Sequence, residues 1–226
     1  QLVNKSLVIA EREQGKETRY QMLETIRQYA LEKLHDVGED RGARARHLAY
    51  FVGEAEEDMR LHSPEQAVYM KRFDADRDNY RAASDWAVEA GQAQAGMRMA
   101  WGLHTYWWAR GHWNEARERM QRLLACPESA EPTTARAAAL ILAGNYSFLL
   151  SDFEASWAWL KDSQALSREL GAQGRPYLGW SSVLHGESLI SYDKVLSQRL
   201  FEEGIALLRE LGDSWRLGIA LSLYGD

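Results

Sequence analysis

The tetrapeptide Arg168-Glu169-Leu170-Gly171 returns as Arg209-Glu210-Leu211-Gly212, an offset of 41, and this recurrence restricts the fold more than any other feature of the chain. A second pair, Leu178-Gly179 and Leu217-Gly218, is offset by 39. The difference arises because the loop Ala172-Gln173-Gly174-Arg175-Pro176 is longer than its counterpart Asp213-Ser214. Earlier in the chain, Gly111-His112-Trp113-Asn114-Glu115-Ala116 matches Ser151-Asp152-Phe153-Glu154-Ala155-Ser156: a turn, an aromatic, then a small residue entering the next helix. Two helices per unit at a period near 40 is the pattern of an α-solenoid, whose units bury their apolar faces only against their neighbours. The repeats start at about Gly96, and helix pairs are expected over 97–110/113–125, 133–150/153–170 and 176–191/194–211. A fourth pair begins at 214 and would expose Leu217, Ile219, Ala220, Leu221 and Leu223 in part, which favours self-association. Since the chain opens within an element at Gln1 and stops in mid-unit at Asp226, it reads as a piece of a longer polypeptide.

The first two dozen residues follow another rule. Ser6-Leu7-Val8-Ile9-Ala10 and Thr18-Arg19-Tyr20-Gln21-Met22 are short and β-prone, and Gln14-Gly15-Lys16 between them has turn chemistry, so a β-hairpin is expected. Leu23, Ile26, Ala30, Leu31 and Leu34 then form one helical stripe that Gly38 closes. A second helix is expected over 41–60, with Ala45, Leu48, Ala49, Val52 and Ala55 inward. Ser63-Pro64-Glu65-Gln66 has the form of a helix start. Helix follows to about Phe73, and another helix from about Asp76 to Ala90, before Gly91.

Composition removes several functions. The net charge is −6 and evenly spread: residues 1–60 carry 10 Lys+Arg against 12 Asp+Glu, and the remainder 17 against 21. With no basic block, a strong electrostatic grip on nucleic acid is not expected. Cys126 is the single cysteine, which excludes an internal disulfide and a thiolate metal cluster and fits a reducing cytoplasm. No apolar run approaches the ~20 residues of a membrane span. The six histidines form no His-Glu-x-x-His pattern, Gly-x-Ser-x-Gly is absent, and Cys126 precedes Pro127 with no identifiable base. Glu56-Glu57-Asp58 reads as a solvated helix face. The chain is therefore expected to carry neither a metal site nor catalytic residues, and not to be an enzyme.

Several stretches together resemble one known junction. These are Leu2-Val3-Asn4-Lys5-Ser6-Leu7-Val8, Thr18-Arg19-Tyr20, Met22-Leu23-Glu24-Thr25-Ile26-Arg27-Gln28-Tyr29-Ala30 and Arg44-Ala45-Arg46-His47-Leu48-Ala49-Tyr50-Phe51. They resemble the end of the winged-helix module in STAND-class regulatory ATPases of bacteria, including LuxR-type and antibiotic-regulator-type transcription factors. Asp78-Asn79-Tyr80-Arg81-Ala82-Ala83 and Arg110-Gly111-His112-Trp113 resemble that family's entry into tetratricopeptide-like (TPR-like) repeats. The resemblance implies a winged-helix remnant over 1–38, a helical linker region over 39–95 and TPR-like repeats over 96–226. It also implies an upstream nucleotide-binding domain in the same polypeptide that switches between ADP and ATP. The chain itself lacks a Gly-x-x-x-x-Gly-Lys-Ser/Thr loop, since Gly15-Lys16 is followed by Glu17, so no cofactor is expected within it. In a winged helix the hairpin can touch DNA, and Arg12, Lys16 and Arg19 would be the contacts. Glu11, Glu13 and Glu17 interleave with them and cancel the field.

The inner face of the solenoid is the remaining candidate site. The chain has nine Trp and ten Tyr, which either fill a helical core or line a groove. Aligning the units on their turns places Arg98, Trp101, Thr105 and Trp108 on the concave wall, then Asn145 and Phe148, then Ser182 and Leu189. Trp101 and Trp108 are two helical turns apart on one face. Either a ligand or partner covers them, or the helix over 76–90 does so through Trp86, while Met97, Ala100, Leu103 and Trp107 pack inward. The expected function is the sensor and protein-interaction arm of a cytoplasmic transcriptional regulator, binding an inducer or protein partner. A protein–protein scaffold without a regulatory ligand, and part of a DNA-contacting unit, are the alternatives.

Overall fold

Side-chain caps and left-handed turns decide where most of the helices begin and end. In the computed structural model, which describes residues 2–3, 5–11, 18–57 and 66–225, the helices are α1 (Glu24–Asp36), α2 (Asp40–Glu57), α3 (Gln66–Glu89), α4 (Ala93–Arg110), α5 (Trp113–Leu124), α6 (Thr134–Leu149), α7 (Phe153–Glu169), α8 (Arg175–Leu189), α9 (Lys194–Leu211) and α10 (Ser214–Gly225). The fold is all-α and solenoid-like, with one two-stranded antiparallel hairpin, Ile9–Glu11 with Arg19–Gln21, among the described residues. No described helix is long and apolar enough to cross a membrane. The expected hairpin turn at Gln14–Lys16, the side chains of Arg12 and Lys16, and the Ser63-Pro64-Glu65 helix start lie outside the described residues.

The chain divides into two compact units, residues 1–47 and 48–226. In the first, Ile9 pairs with Gln21, Ala10 with Tyr20 and Glu11 with Arg19. Ile26, Ala30, Leu31 and Leu34 of α1 are half-buried as expected, whereas Leu23 precedes the helix and is exposed, and Gly38 takes a left-handed φ of 71° just past the helix.

In the second unit, helices pack in the order a solenoid requires. Each first helix (α4, α6, α8) meets its own second helix (α5, α7, α9) and the first helix of the next pair. Thr133, Asp152, Asp193 and Asp213 cap α6, α7, α9 and α10 by accepting from the backbone N–H of Arg136, Ala155, Leu196 and Arg216. Gly111 and Ser151, matched in the repeat, both sit in the left-handed region, at φ 69° and 63°. The two helices of a pair come close at a glycine. A Cβ on Gly144 would lie 2.6 Å from Leu160, and one on Gly186 would lie 2.9 Å from Phe201.

Two boundaries and one buried face differ from expectation. α3 is one continuous helix across Asp74–Asp76: Met70, Phe73, Tyr80, Ala83 and Ala87 keep a single buried face, and no residue there breaks a helix. α4 starts at Ala93, so Gly96 lies inside it. There the missing side chain lets Leu123 and Ala87 approach to within 2.6 and 2.9 Å of where a Cβ would be. In α2, Ala49 is exposed while Phe51 is buried. Two apolar clusters fill the unit. The first runs from Leu48 and Phe73 through Met97 and Leu103 to Leu142 and Tyr146. The second holds Ile141, Leu160, Trp180, Val183, Phe201, Leu208 and Ala220. Ala220 of α10 is therefore fully buried, Leu217, Ile219 and Leu223 pack partly against the second cluster, and only Leu221 of the expected strip is exposed.

Candidate functional site: the concave pocket

The first two-thirds of α4 and the N-terminal ends of α6, α8 and α10, with the end of α2, surround a pocket of about 730 Å³. Gln94, Arg98, Trp101, Gly102, His104 and Thr105 of α4 form one side, and Thr134, Ala135 and Ala138 of α6 form another. Tyr177 of α8 and Trp215 and Arg216 of α10 face them, while Ala55 and Glu56 of α2 complete the lining. Gly102 is required here because a Cβ would strike the carbonyl oxygen of Ala55. The volume is within the range of small-molecule sites, roughly 300–1,000 Å³.

Trp101 is the centre of this arrangement. It is half-buried and packs against both apolar clusters, so one side chain joins the two cores. Its ring stacks on His104 (5.1 Å between centres, 17° between planes) and meets Tyr177 at 5.7 Å. The Arg216 guanidinium lies 5.4 Å from the Trp101 ring centre and 5.9 Å from that of Trp180, a cation–π arrangement. His104 Nδ1 is 2.7 Å from the Trp101 carbonyl oxygen, which can only accept, so Nδ1 carries the proton. Nε2 lies 3.3 Å from the Thr105 hydroxyl oxygen, within hydrogen-bond reach. The Tyr146 hydroxyl, fully buried, donates to the His104 carbonyl oxygen at 2.9 Å and pins α6 to α4.

The charged groups of the lining are closed on one another. Arg98 grips Glu56 with two hydrogen bonds of 2.7 Å, which hold the arginine above its ordinary range. Arg216 Nη1 donates to Asp213 Oδ2 at 2.6 Å, and Asp213 Oδ1 accepts the Arg216 backbone N–H at 3.1 Å. Thr133 donates to Gln94 Oε1 at 2.7 Å while capping α6. The site therefore offers flat aromatic and small apolar surfaces, a few hydroxyl and amide groups, and balanced charge. Among the described residues, no group of three or more His, Cys, Asp or Glu is placed to hold a metal ion.

Of the residues expected on the concave wall, Arg98, Trp101 and Thr105 line the pocket together. The other five do not. Trp108 shares the angular position of Trp101 but lies two turns, about 10 Å, further along α4. It is 58% exposed, and Trp86 is in the core without covering it. Asn145 is half-buried towards the C-terminal end of α6, beyond the pocket. Phe148 packs at the α6–α7 turn, 6.0 Å from Phe153. Ser182 is fully buried and donates to Glu203 of α9 at 3.3 Å, and Leu189 is buried near the end of α8. Periodicity specifies a face of a helix but not a height along it, and aligning the units on their turns selected the ends of α6 and α8 opposite to the pocket. Aligning on helix starts would have found Thr134, Tyr177 and Arg216, which sit one to three residues into their helices.

Comparison with known proteins agrees with the regulatory reading at a coarse level. No family model matches the chain. It is similar over its whole length, at 31% identity, to HTH-type transcriptional regulators of Mycobacterium tuberculosis and Mycobacterium bovis. The chain spans 26% of the length of these curated relatives.

Proposed function

We propose that this chain, similar throughout to one quarter of HTH-type transcriptional regulators, is the sensor and interaction arm of such a regulator in the cytoplasm. The observation that carries the reading is the concave pocket. Its lining comes from α2 and from the first helices of four successive pairs, so an occupant touches elements far apart in sequence at once. In a solenoid each unit otherwise contacts only its neighbours. A ligand that binds one curvature better than another shifts the population by its difference in affinity. Trp101, which joins both apolar clusters, is the residue through which pocket occupancy would reach the packing of the unit.

In this reading the helix pairs are TPR-like repeats of a STAND-class regulator, and the hairpin with α1 is the remnant of its winged helix. An upstream nucleotide-binding domain of the same polypeptide would supply the ADP/ATP switch, and this chain would hold the inducer or protein partner. The test is made in the intact regulator. Ala135→Trp, placed at a half-buried position of the lining, should abolish the effector-dependent change in transcription. Protein level and promoter occupancy should be unchanged. A regulator that still responds fully with the pocket filled would overturn the proposal.

A further inference from the structure

We infer that the concave pocket takes a flat, uncharged aromatic molecule bearing hydrogen-bond acceptors, seated against Trp101. This rests on the pocket being the sensing site and adds the chemistry of what it senses. Three observations lead to it. The first is shape: Trp101, Tyr177 and Trp215 supply ring faces and edges, and Ala55, Gly102 and Ala138 leave the space between them open. Aromatic rings prefer offset-stacked or edge-to-face partners, so a planar ligand gains most from such a wall.

The second observation is charge. Every acidic and basic side chain among the described lining residues already has its counter-ion within the wall: Arg98 with Glu56, and Arg216 with Asp213. An anionic ligand would have to draw Arg216 or Arg98 away from its carboxylate, and a cationic ligand would face the same two guanidinium groups. Breaking the Arg216–Asp213 pair, whose side chains are 19% and 23% exposed, is costly because the other charge is left uncompensated; the Arg98–Glu56 pair is solvent-exposed and adds little to this barrier. A neutral ligand leaves both pairs closed.

The third observation is the polarity of what remains. Thr134 is at the first position of α6, so backbone N–H groups of that helix start lie beside the pocket. With the hydroxyl of Thr134 and the amide of Gln94, these favour acceptor atoms such as carbonyl or ether oxygens on the ligand.

Two matched naphthalene probes test the inference: prodan, a neutral ketone, and anilinonaphthalene sulfonate, an anion. Each is titrated by fluorescence into the chain and into Ala135→Trp, Thr134→Trp and Asp213→Asn, all first checked for helix content and cooperative melting. Prodan should bind saturably, at least tenfold more tightly than the sulfonate, and lose at least tenfold in whichever filling variant folds. Asp213→Asn keeps an α10 cap but frees Arg216, so it should raise sulfonate affinity at least fivefold. If the sulfonate binds the original chain as tightly as prodan and is displaced by filling, the pocket stands and the neutral-ligand inference falls. If neither probe responds to either filling variant, both the inference and the sensing pocket fall.

Discussion

Trp101 and Trp108 show how far a single residue can be read before the fold is known. Both lie on one face of α4, yet one links two apolar clusters and the other is 58% exposed outside the pocket. Trp108→Ala should therefore change stability by less than about 0.5 kcal/mol, as surface substitutions do. Trp101→Ala should cost about 2 kcal/mol, below the ~3–5 kcal/mol of a fully buried aromatic because Trp101 is half-exposed. Urea unfolding of the two variants checks both, and a larger loss in Trp108→Ala would contradict the assignment. Titration at α8 gives a second expectation. Burial raises the carboxyl of Glu187 to about 7, so its native form holds a proton that the unfolded chain releases near 4.5. Its contribution is complete below pH 4.5 and is lost as pH rises through 7. Glu187→Gln should raise the melting temperature at pH 8 and leave it almost unchanged at pH 4. His185 acts in the opposite sense, since burial and then Lys161 lower it to about 4 and its contribution is lost as pH falls below 6.5. The single substitution isolates Glu187, and an equal effect at both pH values would contradict the account. Neither burial was legible in the sequence, where α8 shows a polar-dotted pattern with no charge partner nearby.

At the scale of elements, the period near 40 carried most of the fold. The second and third pairs begin and end within two residues of expectation, and α10 begins at the expected residue 214, because turns, caps and apolar stripes agree there. Where local signals were mixed, packing decided: α3 runs through an acidic stretch that looked like a break, and Gly96 marks a close approach rather than a boundary. The helix-pair turns offer a direct experiment. Ser151 holds the left-handed conformation that Gly111 holds in the preceding pair, so Ser151→Gly should stabilise by about 0.5–1 kcal/mol as strain is relieved. Gly144→Ala should do the reverse and cost about 1–3 kcal/mol, because the new methyl meets Leu160 and the backbone of Ser156. Chemical denaturation measures both, and a stabilising Gly144→Ala would show that α6 and α7 are not packed this closely.

For the molecule as a whole, the sequence indicated a solenoid with a concave wall, and three of the eight wall residues chosen from it line the pocket. What it could not supply was the juxtaposition of α4 with α8 and α10, since Trp101, Tyr177 and Arg216 are separated by 76 and 39 positions and share no motif. The chain has no glycine-rich phosphate loop, so calorimetric titration with ATP should give no binding heat at micromolar concentrations; micromolar affinity would contradict the division of labour proposed above. The central claim is that occupancy of the concave pocket is what this chain senses. Amide hydrogen exchange, compared with and without saturating prodan, tests it most directly. The account predicts slowed exchange in residues 94–105, 134–138, 177–180 and 214–217, on all four first helices together. Slowing confined to α5, α7 and α9, or none at saturation, would contradict it.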